Sequence, residues 1–247
     1  MFVVRGKQRS RMRNRTTAPP KVSESTGPPT PREAIVDVAV RLFGEKGYNA
    51  TTMRDIAKAV GILPGSLYAH IDSKETLLIE IVEKGIERFL AIDRLLAASE
   101  ESPEARMRIA IREHIRVVAE NPERTLVVFH QWRFLSGPNR ARAIAMRRRY
   151  AKAFMKIVND GIANGDFTSK LDARLTVFGI LGALNWAPEW YSPSGPMSAE
   201  EVGQKMADSL INGLRPSSAR VAGAETGEAP GRKRAPGAKG ATSAAAK

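Results

Sequence analysis

Apolar residues through the middle of this chain return every three or four positions, the period of a helix buried on one face. In PREAIVDVAVRLFGEKG, residues 31–47, Ala34, Ile35, Val38, Ala39, Leu42 and Phe43 keep that spacing. Pro31 suits a first helical position, and Gly47 predicts a left-handed cap. Thr51 and Thr52 then precede MRDIAKAV, with Asp55 three residues after Thr52 as the acidic half of a capping box. Gly61 breaks that helix, and a third short helix is predicted over 64–71. Asp72 or Ser73 caps a fourth, running toward Ala98, with Glu75 in its first turn complementing the helix dipole. Further helices are predicted near 103–119, 122–135, 139–164, 171–186 and 198–213. Pro103, Pro122 and Pro138 sit near their starts, and Asn164-Gly165 closes the longest of them. No useful strand-like alternation interrupts the series, so the expected class is all-α, with about nine helices.

Two short helices about a Gly-containing turn, preceded by a third, are the parts of a helix-turn-helix unit. Ile56, Ala57 and Val60 can pack against Ile62, Leu67 and Ile71, and small Ala57 lets the axes approach. That packing aims Pro64, Gly65, Ser66, Tyr68, Ala69 and His70 outward. A tyrosine hydroxyl, an imidazole and the Lys74 ammonium all suit phosphate oxygens, beside a helix short enough for a major groove. Alone, a Tyr-x-His pair is ordinary on any helical surface; its weight comes from the pattern around it.

That pattern is dense. The run TTMRDIAKAVGILPGSLYAHIDSKETLL, preceded by AIVDVAVRLFGEKGYNA, resembles the DNA-binding domain of TetR-family transcriptional regulators over residues 33–78. The resemblance implies DNA-backbone contacts from Thr52, Tyr68, His70 and Lys74, and base contacts from Pro64, Gly65 and Ser66. It also implies nine helices and a homodimer, with a DNA-binding domain at 31–78 and an effector-binding and dimerisation domain at 79–215. Two positions depart from the family pattern. Leu63 stands where the family has Ser or a similar cap, a loss of about 0.5–2 kcal/mol of helix stability. Ile71 stands where the family favours Phe, a tolerable core exchange.

The last two helices carry a candidate interface. Val202, Met206, Leu210 and Leu214 repeat every four residues, and the helix before them offers Leu171, Leu175, Phe178, Leu181 and Leu184, interleaved with Gly179, Gly182 and Ala183. Small residues permit close helix contact, and two such helices from each of two chains make a four-helix interface. Leu175, Phe178, Gly182, Val202, Met206 and Leu210 are the expected dimer residues; ordinary packing within one chain is the competing reading. A two-fold dimer reads a palindromic site with half-sites spaced by about 34–36 Å or more.

Charge changes the picture at the ends. Residues 1–30 hold seven Lys/Arg against Glu24, a net +6, and residues 216–247 hold six against two Glu, a net +4. Only +3 of the chain's +13 therefore belongs to residues 31–215. Both ends are rich in Pro, Gly, Ser, Thr and Ala, a composition that cannot bury enough surface to offset ordering, so a disordered basic arm and tail are expected. Such arms attract polyanions, although a merely solubilising tail reads the same way. The start lacks an apolar stretch of secretory type, and no apolar run reaches about 18 residues, so a cytoplasmic protein with no membrane partner is expected. There is no Cys, which removes disulfides, thiolate metal sites and Cys nucleophiles.

All three Trp lie in FHQWRFLSGPNR (129–140) and GALNWAPEWYSPSGPMSAEEV (182–202). Trp186, Trp190 and Tyr191 cluster where Pro188 interrupts a helix, and a broken helix lined with aromatics can wall an apolar cavity. Leu184-Asn185-Trp186 through Trp190-Tyr191 resembles a TetR subgroup regulating lipid, fatty-acid and steroid catabolism, whose effectors are acyl-CoA thioesters. The expected effector pocket comprises Trp132, Arg133, Arg148, Phe178, Asn185, Trp186, Trp190 and Tyr191. The basic run Arg140, Arg142, Arg147, Arg148, Arg149 and Lys152 adds guanidinium groups that bind phosphates well, or else forms a solvated face. The expectation is a ligand-responsive repressor of double-stranded DNA that carries no cofactor or metal. The alternative, a helical-bundle enzyme acting on a lipid or CoA ester, lacks an inventory: no Gly-rich phosphate loop, no HExxH, and no Ser or Asp partner at motif spacing for His114 or His130.

Overall fold

The computed structural model describes residues 30–216, all helix, turn and loop. The basic arm and tail expected over 1–30 and 216–247 fall, but for Thr30 and Pro216, outside the described residues. Four helices open the chain: α1 (Pro31–Lys46), α2 (Met53–Val60), α3 (Pro64–Tyr68) and α4 (Lys74–Ala97). Then come α5 (Pro103–Glu120), α6 (Pro122–Leu126), α7 (Gly137–Asn164), α8 (Ala173–Asn185), a single turn α9 (Ala187–Trp190) and α10 (Ala199–Leu214). Each of the nine predicted helices has a counterpart among the described residues, that at 122–135 only over its first turn, and α9 is the addition.

Local chemistry explains the starts. Reciprocal capping boxes join Thr30 to Glu33, Thr52 to Asp55 and Ser198 to Glu201, while Ser73 caps α4 alone. Gly61 and Gly165 take the left-handed conformation that ends α2 and α7. Gly47 corrects its expectation: φ is positive at 83°, but ψ of 156° carries the chain away extended instead of closing a left-handed cap.

A second correction concerns 122–135, expected as one helix. Regular α6 stops at Leu126, a π-helical turn spans Val127–Gln131, and a 3₁₀ turn spans Trp132–Phe134. Three consecutive apolar residues, Val127, Val128 and Phe129, are all buried here. A regular helix would spread them over some 200° of its surface, so the widened turn lets all three meet the core. Val128 lies against Gly85 of α4, where a Cβ would collide with its side chain.

One continuous core holds these elements together, from Ile35 and Phe43 of α1 through Leu77, Ile81 and Phe89 of α4 to Ile211 of α10. α10 lies close along α5. A Cβ on Gly203 would come within 3.2 Å of the Arg112 Cα. Ion pairs flank this contact, Arg112 to Glu200 at 3.2 Å, Arg108 to Asp208, and Arg215 to Glu104.

Candidate functional site

The short helix α3 is fixed from beneath and free above. Leu67 and Ile71 are completely or nearly completely buried, packing with Ile56 and Ala57 of α2. Pro64, Gly65, Ser66, Tyr68 and His70 are all exposed, as the spacing predicts, with Tyr68 at 55%. Leu63 precedes α3 with no side-chain cap bond, so tertiary burial of Leu67 and Ile71 supplies what the cap does not. Thr52 is exposed at the start of α2, where its hydroxyl and N–H both donate to Asp55 Oδ2, at 2.6 and 2.9 Å. That bond holds the Asp55 carboxyl below the usual carboxylate range.

Two cations position this head. Arg32 donates from Nη1 to the His70 carbonyl at 2.6 Å and from Nη2 to Glu80 Oε2 at 2.8 Å, joining α1, the end of α3 and α4. Lys74 corrects the expectation of an outward ammonium. Its Nζ donates to the Tyr48 and Thr51 carbonyls at 2.9 and 2.8 Å and sits 4.3 Å from the centre of the Tyr48 ring. The α1–α2 loop presents free carbonyls there, and partial desolvation holds the Lys74 pKa below its ordinary value.

The same loop touches the body. The Tyr48 ring packs edge-on to Phe43 at 5.2 Å and stacks on Phe134 at 5.6 Å. Glu75, in the first turn of α4, accepts bonds from the Ser136 N–H and the Asn139 amide, both at 3.0 Å. Between loop and body opens a cleft of about 400 Å³, lined by residues including Lys46, Tyr48, His130, Arg133, Phe134 and Glu189.

Behind the cleft the aromatic residues divide. The Arg147 guanidinium lies 4.9 Å from the Trp132 ring centre and 5.8 Å from that of Phe129. His130 meets Trp186 edge-on at 5.8 Å, with Nε2 3.5 Å from Glu189 Oε1. Burial pushes the His130 pKa down despite that carboxylate. Deeper in, His114 is fully buried, stacks on Phe129 and shares a 3.0 Å hydrogen bond between Nδ1 and Tyr150 Oη. Asn185 Oδ1 is buried with no hydrogen-bond partner among the described residues.

Several expected pocket residues are therefore placed otherwise. Trp132 and Arg133 lie at the cluster, and Asn185 and Trp186 adjoin it, but Arg148 is exposed and Arg147 is the arginine drawn in. One helical step of 100° separates them, and only contacts decide which faces inward. Phe178 points off the outer face of α8, 54% exposed, with Arg174 over its ring. Trp186 and Trp190 are half-exposed, so they do not enclose a cavity within one chain; Tyr191 packs partly on the core. His130, Tyr48 and Gln131 carried no motif signal.

The expected interface also divides. Leu175, Phe178 and Gly182 share an exposed face of α8, continued by Trp186. Val202 is 3% exposed inside its own chain and cannot reach a partner, which corrects that assignment; packing of α10 on α5 consumes it. Met206 and Leu210 are partly buried against the core.

Comparison with known proteins places this geometry. Residues 35–81 match the family described as bacterial regulatory proteins, tetR family, and residues 100–214 match the tetracyclin repressor-like C-terminal domain. The chain is 28% identical to the HTH-type transcriptional repressor KstR2 of Rhodococcus jostii, over 79% of this chain and 97% of that protein. Among solved structures, the TetR-family regulator PfmR of Thermus thermophilus superposes with a TM-score of 0.66 at 33% identity, covering 74% of this chain and 99% of that one. AibR, solved with isovaleryl coenzyme A and operator DNA, superposes with a TM-score of 0.64 at 26% identity, covering 76% and 99%.

Proposed function

This chain belongs to the TetR family of bacterial regulatory proteins, and on that premise we propose that it is a cytoplasmic homodimeric repressor released from a palindromic operator by an acyl-CoA effector. Its DNA-reading head is residues 31–78 and its effector and dimerisation body residues 79–215. The observation that carries the reading is α3: an exposed polar face at Ser66, Tyr68 and His70 on a helix anchored by fully buried Leu67. Ser66, with Pro64 and Gly65, meets base edges, while Thr52, Tyr68 and His70 meet phosphates. Lys74 acts by fixing the α1–α2 loop against α4 instead of reaching a phosphate.

The dimer forms through the exposed apolar face of α8. Leu175, Phe178 and Trp186 are each more than half exposed along one helix, a patch that a second copy covers. The repressor reading is supported by the likeness to KstR2 along most of the chain, and the effector class by the AibR complex with isovaleryl coenzyme A. Effector binding favours a dimer whose recognition helices no longer match successive major grooves, and affinity falls by the differential binding to the two states. No helix among the described residues is long and apolar enough to cross a membrane.

Fluorescence anisotropy against the DNA flanking its own gene tests the reading. Salt-sensitive, sequence-selective binding that acyl-CoA weakens is the expected result. Equal affinity for random DNA, or turnover of the thioester by the purified chain, overturns it.

A further inference from the structure

Other partly buried arginines of the body are matched: Arg106 pairs with Asp160 at 2.9 Å, and Arg124 with Asp37 at 2.8 Å. Arg147 is different. Of the basic run on α7, Arg140, Arg142, Arg148, Arg149 and Lys152 are exposed, whereas Arg147 is partly buried. Among the described residues it has neither a carboxylate in ion-pair range nor a hydrogen bond, and it rests on the Trp132 and Phe129 rings. Arg133 stands close enough to depress its pKa further, beyond the effect of desolvation. Aromatic faces return only part of what desolvating a guanidinium costs, and a neighbouring cation adds to that cost. A guanidinium held against an aromatic face also keeps in-plane N–H groups for an oxyanion, the forked geometry of phosphate recognition.

We propose that Arg147, with Arg133 beside it, is an oxyanion subsite of the effector site, where a phosphate of the coenzyme A moiety supplies the anion that the guanidinium lacks. This rests on the acyl-CoA reading and names the residues that hold its polar end. The subsite also has a route to the DNA head. Trp132 and Arg133 follow directly on Gln131, whose side chain accepts the Tyr48 N–H at 3.2 Å. An anion bound there restrains the π and 3₁₀ turns that hold the α1–α2 loop.

Isothermal titration of the full chain with coenzyme A, with pyrophosphate and with a medium-chain fatty carboxylate tests this. Arg147→Met is expected to weaken coenzyme A binding by about 10–100-fold, the loss of charge-assisted hydrogen bonds. Arg148→Met removes the same charge from an exposed position and should change it by less than about threefold. Should Arg147→Met fail to fold, Arg147→Lys keeps the charge, loses the fork, and is expected to show the same weakening. Coenzyme A affinity unchanged at position 147, or lowered equally at 148, overturns the subsite. If the wild type binds the fatty carboxylate but not coenzyme A, and Arg147→Met abolishes that binding, the acyl-CoA reading fails while the oxyanion subsite stands. Wild-type protein that binds none of the three probes overturns the subsite outright.

Discussion

The backbone N–H of Tyr48, in the loop that leads into the helix-turn-helix, donates to Gln131 Oε1 at 3.2 Å, in the π-helical turn of the body. The two residues are 83 apart in sequence, and their bond joins the two halves of the expected allosteric pathway. Gln131→Ala removes the acceptor without emptying any core space. Operator affinity without effector should stay within about twofold, while the loss of affinity on adding effector shrinks, consistent with a coupling of about 1–3 kcal/mol shared among several contacts. Anisotropy titrations with and without acyl-CoA measure both, and faster hydrogen exchange at the Tyr48 amide checks that the bond was lost. An unaltered effector response would remove this bond from the pathway.

Gly85 makes a sterically sharper case. Its Cα faces Val128 so closely that a Cβ would overlap the valine side chain, and that valine belongs to the same π-helical turn. Gly85→Ala gains helix propensity but forces Val128 to move. The expected balance is a loss of about 1–3 kcal/mol, read as a lowered midpoint in urea unfolding. Gly179→Ala is the control: nothing lies within 4 Å of its Cβ in one chain, so the isolated protomer should gain up to about 1 kcal/mol.

How far the sequence foretold these relationships depends on the physics behind each. Helices were legible because burial of one face imposes a period, and helix starts because caps are local chemistry. Tyr68 and His70 were legible for the same reason: Leu67 and Ile71 set which face is inward. The π turn was not, because its cause is the joint burial of Val127, Val128 and Phe129 against a core whose nearest partner for Val128 is Gly85, 43 positions earlier. Arg147 and Arg148 differ by one helical step, and only the position of Trp132 chooses between them. Lys74 was misread because its partners are backbone carbonyls, which leave no trace in residue type. Val202 belonged to a true apolar stripe whose partner proved to be α5 of the same chain.

Lys74 consequently predicts a stability defect as well as a binding one. Lys74→Met keeps the stem over Tyr48 but leaves the Tyr48 and Thr51 carbonyls without the ammonium. Losing charge-assisted bonds at a partly buried site should cost about 1–3 kcal/mol, visible in thermal unfolding without DNA. Tyr68→Phe should leave stability unchanged, since that side chain is exposed, and weaken operator binding by severalfold with the salt slope intact, because the hydroxyl is neutral. Equal melting temperatures for wild type and Lys74→Met would return Lys74 to a direct phosphate role.

The α8 face gives a prediction on assembly. Leu175 and Phe178 are 68% and 54% exposed and one turn apart, so Leu175→Glu with Phe178→Glu places two carboxylates at the proposed two-fold contact. Light scattering after gel filtration should report a monomer, and operator affinity should fall by orders of magnitude because two half-sites are no longer engaged together. Helix content should be kept, since neither side chain contributes to the protomer core. A double variant that remains dimeric would move the interface elsewhere.

His114 sets a pH dependence independent of DNA. Desolvation lowers its pKa from 6.5 to about 3 in the folded chain, where it shares a hydrogen bond with Tyr150 and stacks on Phe129. Between those values the unfolded chain binds a proton that the folded chain refuses. The stability contribution is thus complete above the unfolded pKa and is lost as pH falls toward the folded one, by about 1.4 kcal/mol per pH unit. His130, lowered by burial, acts with the same sign. Glu104 and Asp208, also lowered, add to the loss only near and below their ordinary pKa values of 4.5 and 3.8. Urea unfolding at pH 5 and at pH 6.5 therefore reports mainly the histidines, and His114 should account for a loss of about 1.5–2 kcal/mol across that interval, to which His130 adds. In His114→Gln, which keeps a polar partner for Tyr150, the total stability is lower but the slope over that interval flattens. A slope unaltered by the substitution would mean that His114 reaches a proton without unfolding, and that the wall of Phe89, Phe129 and Tyr150 around it opens in the native state.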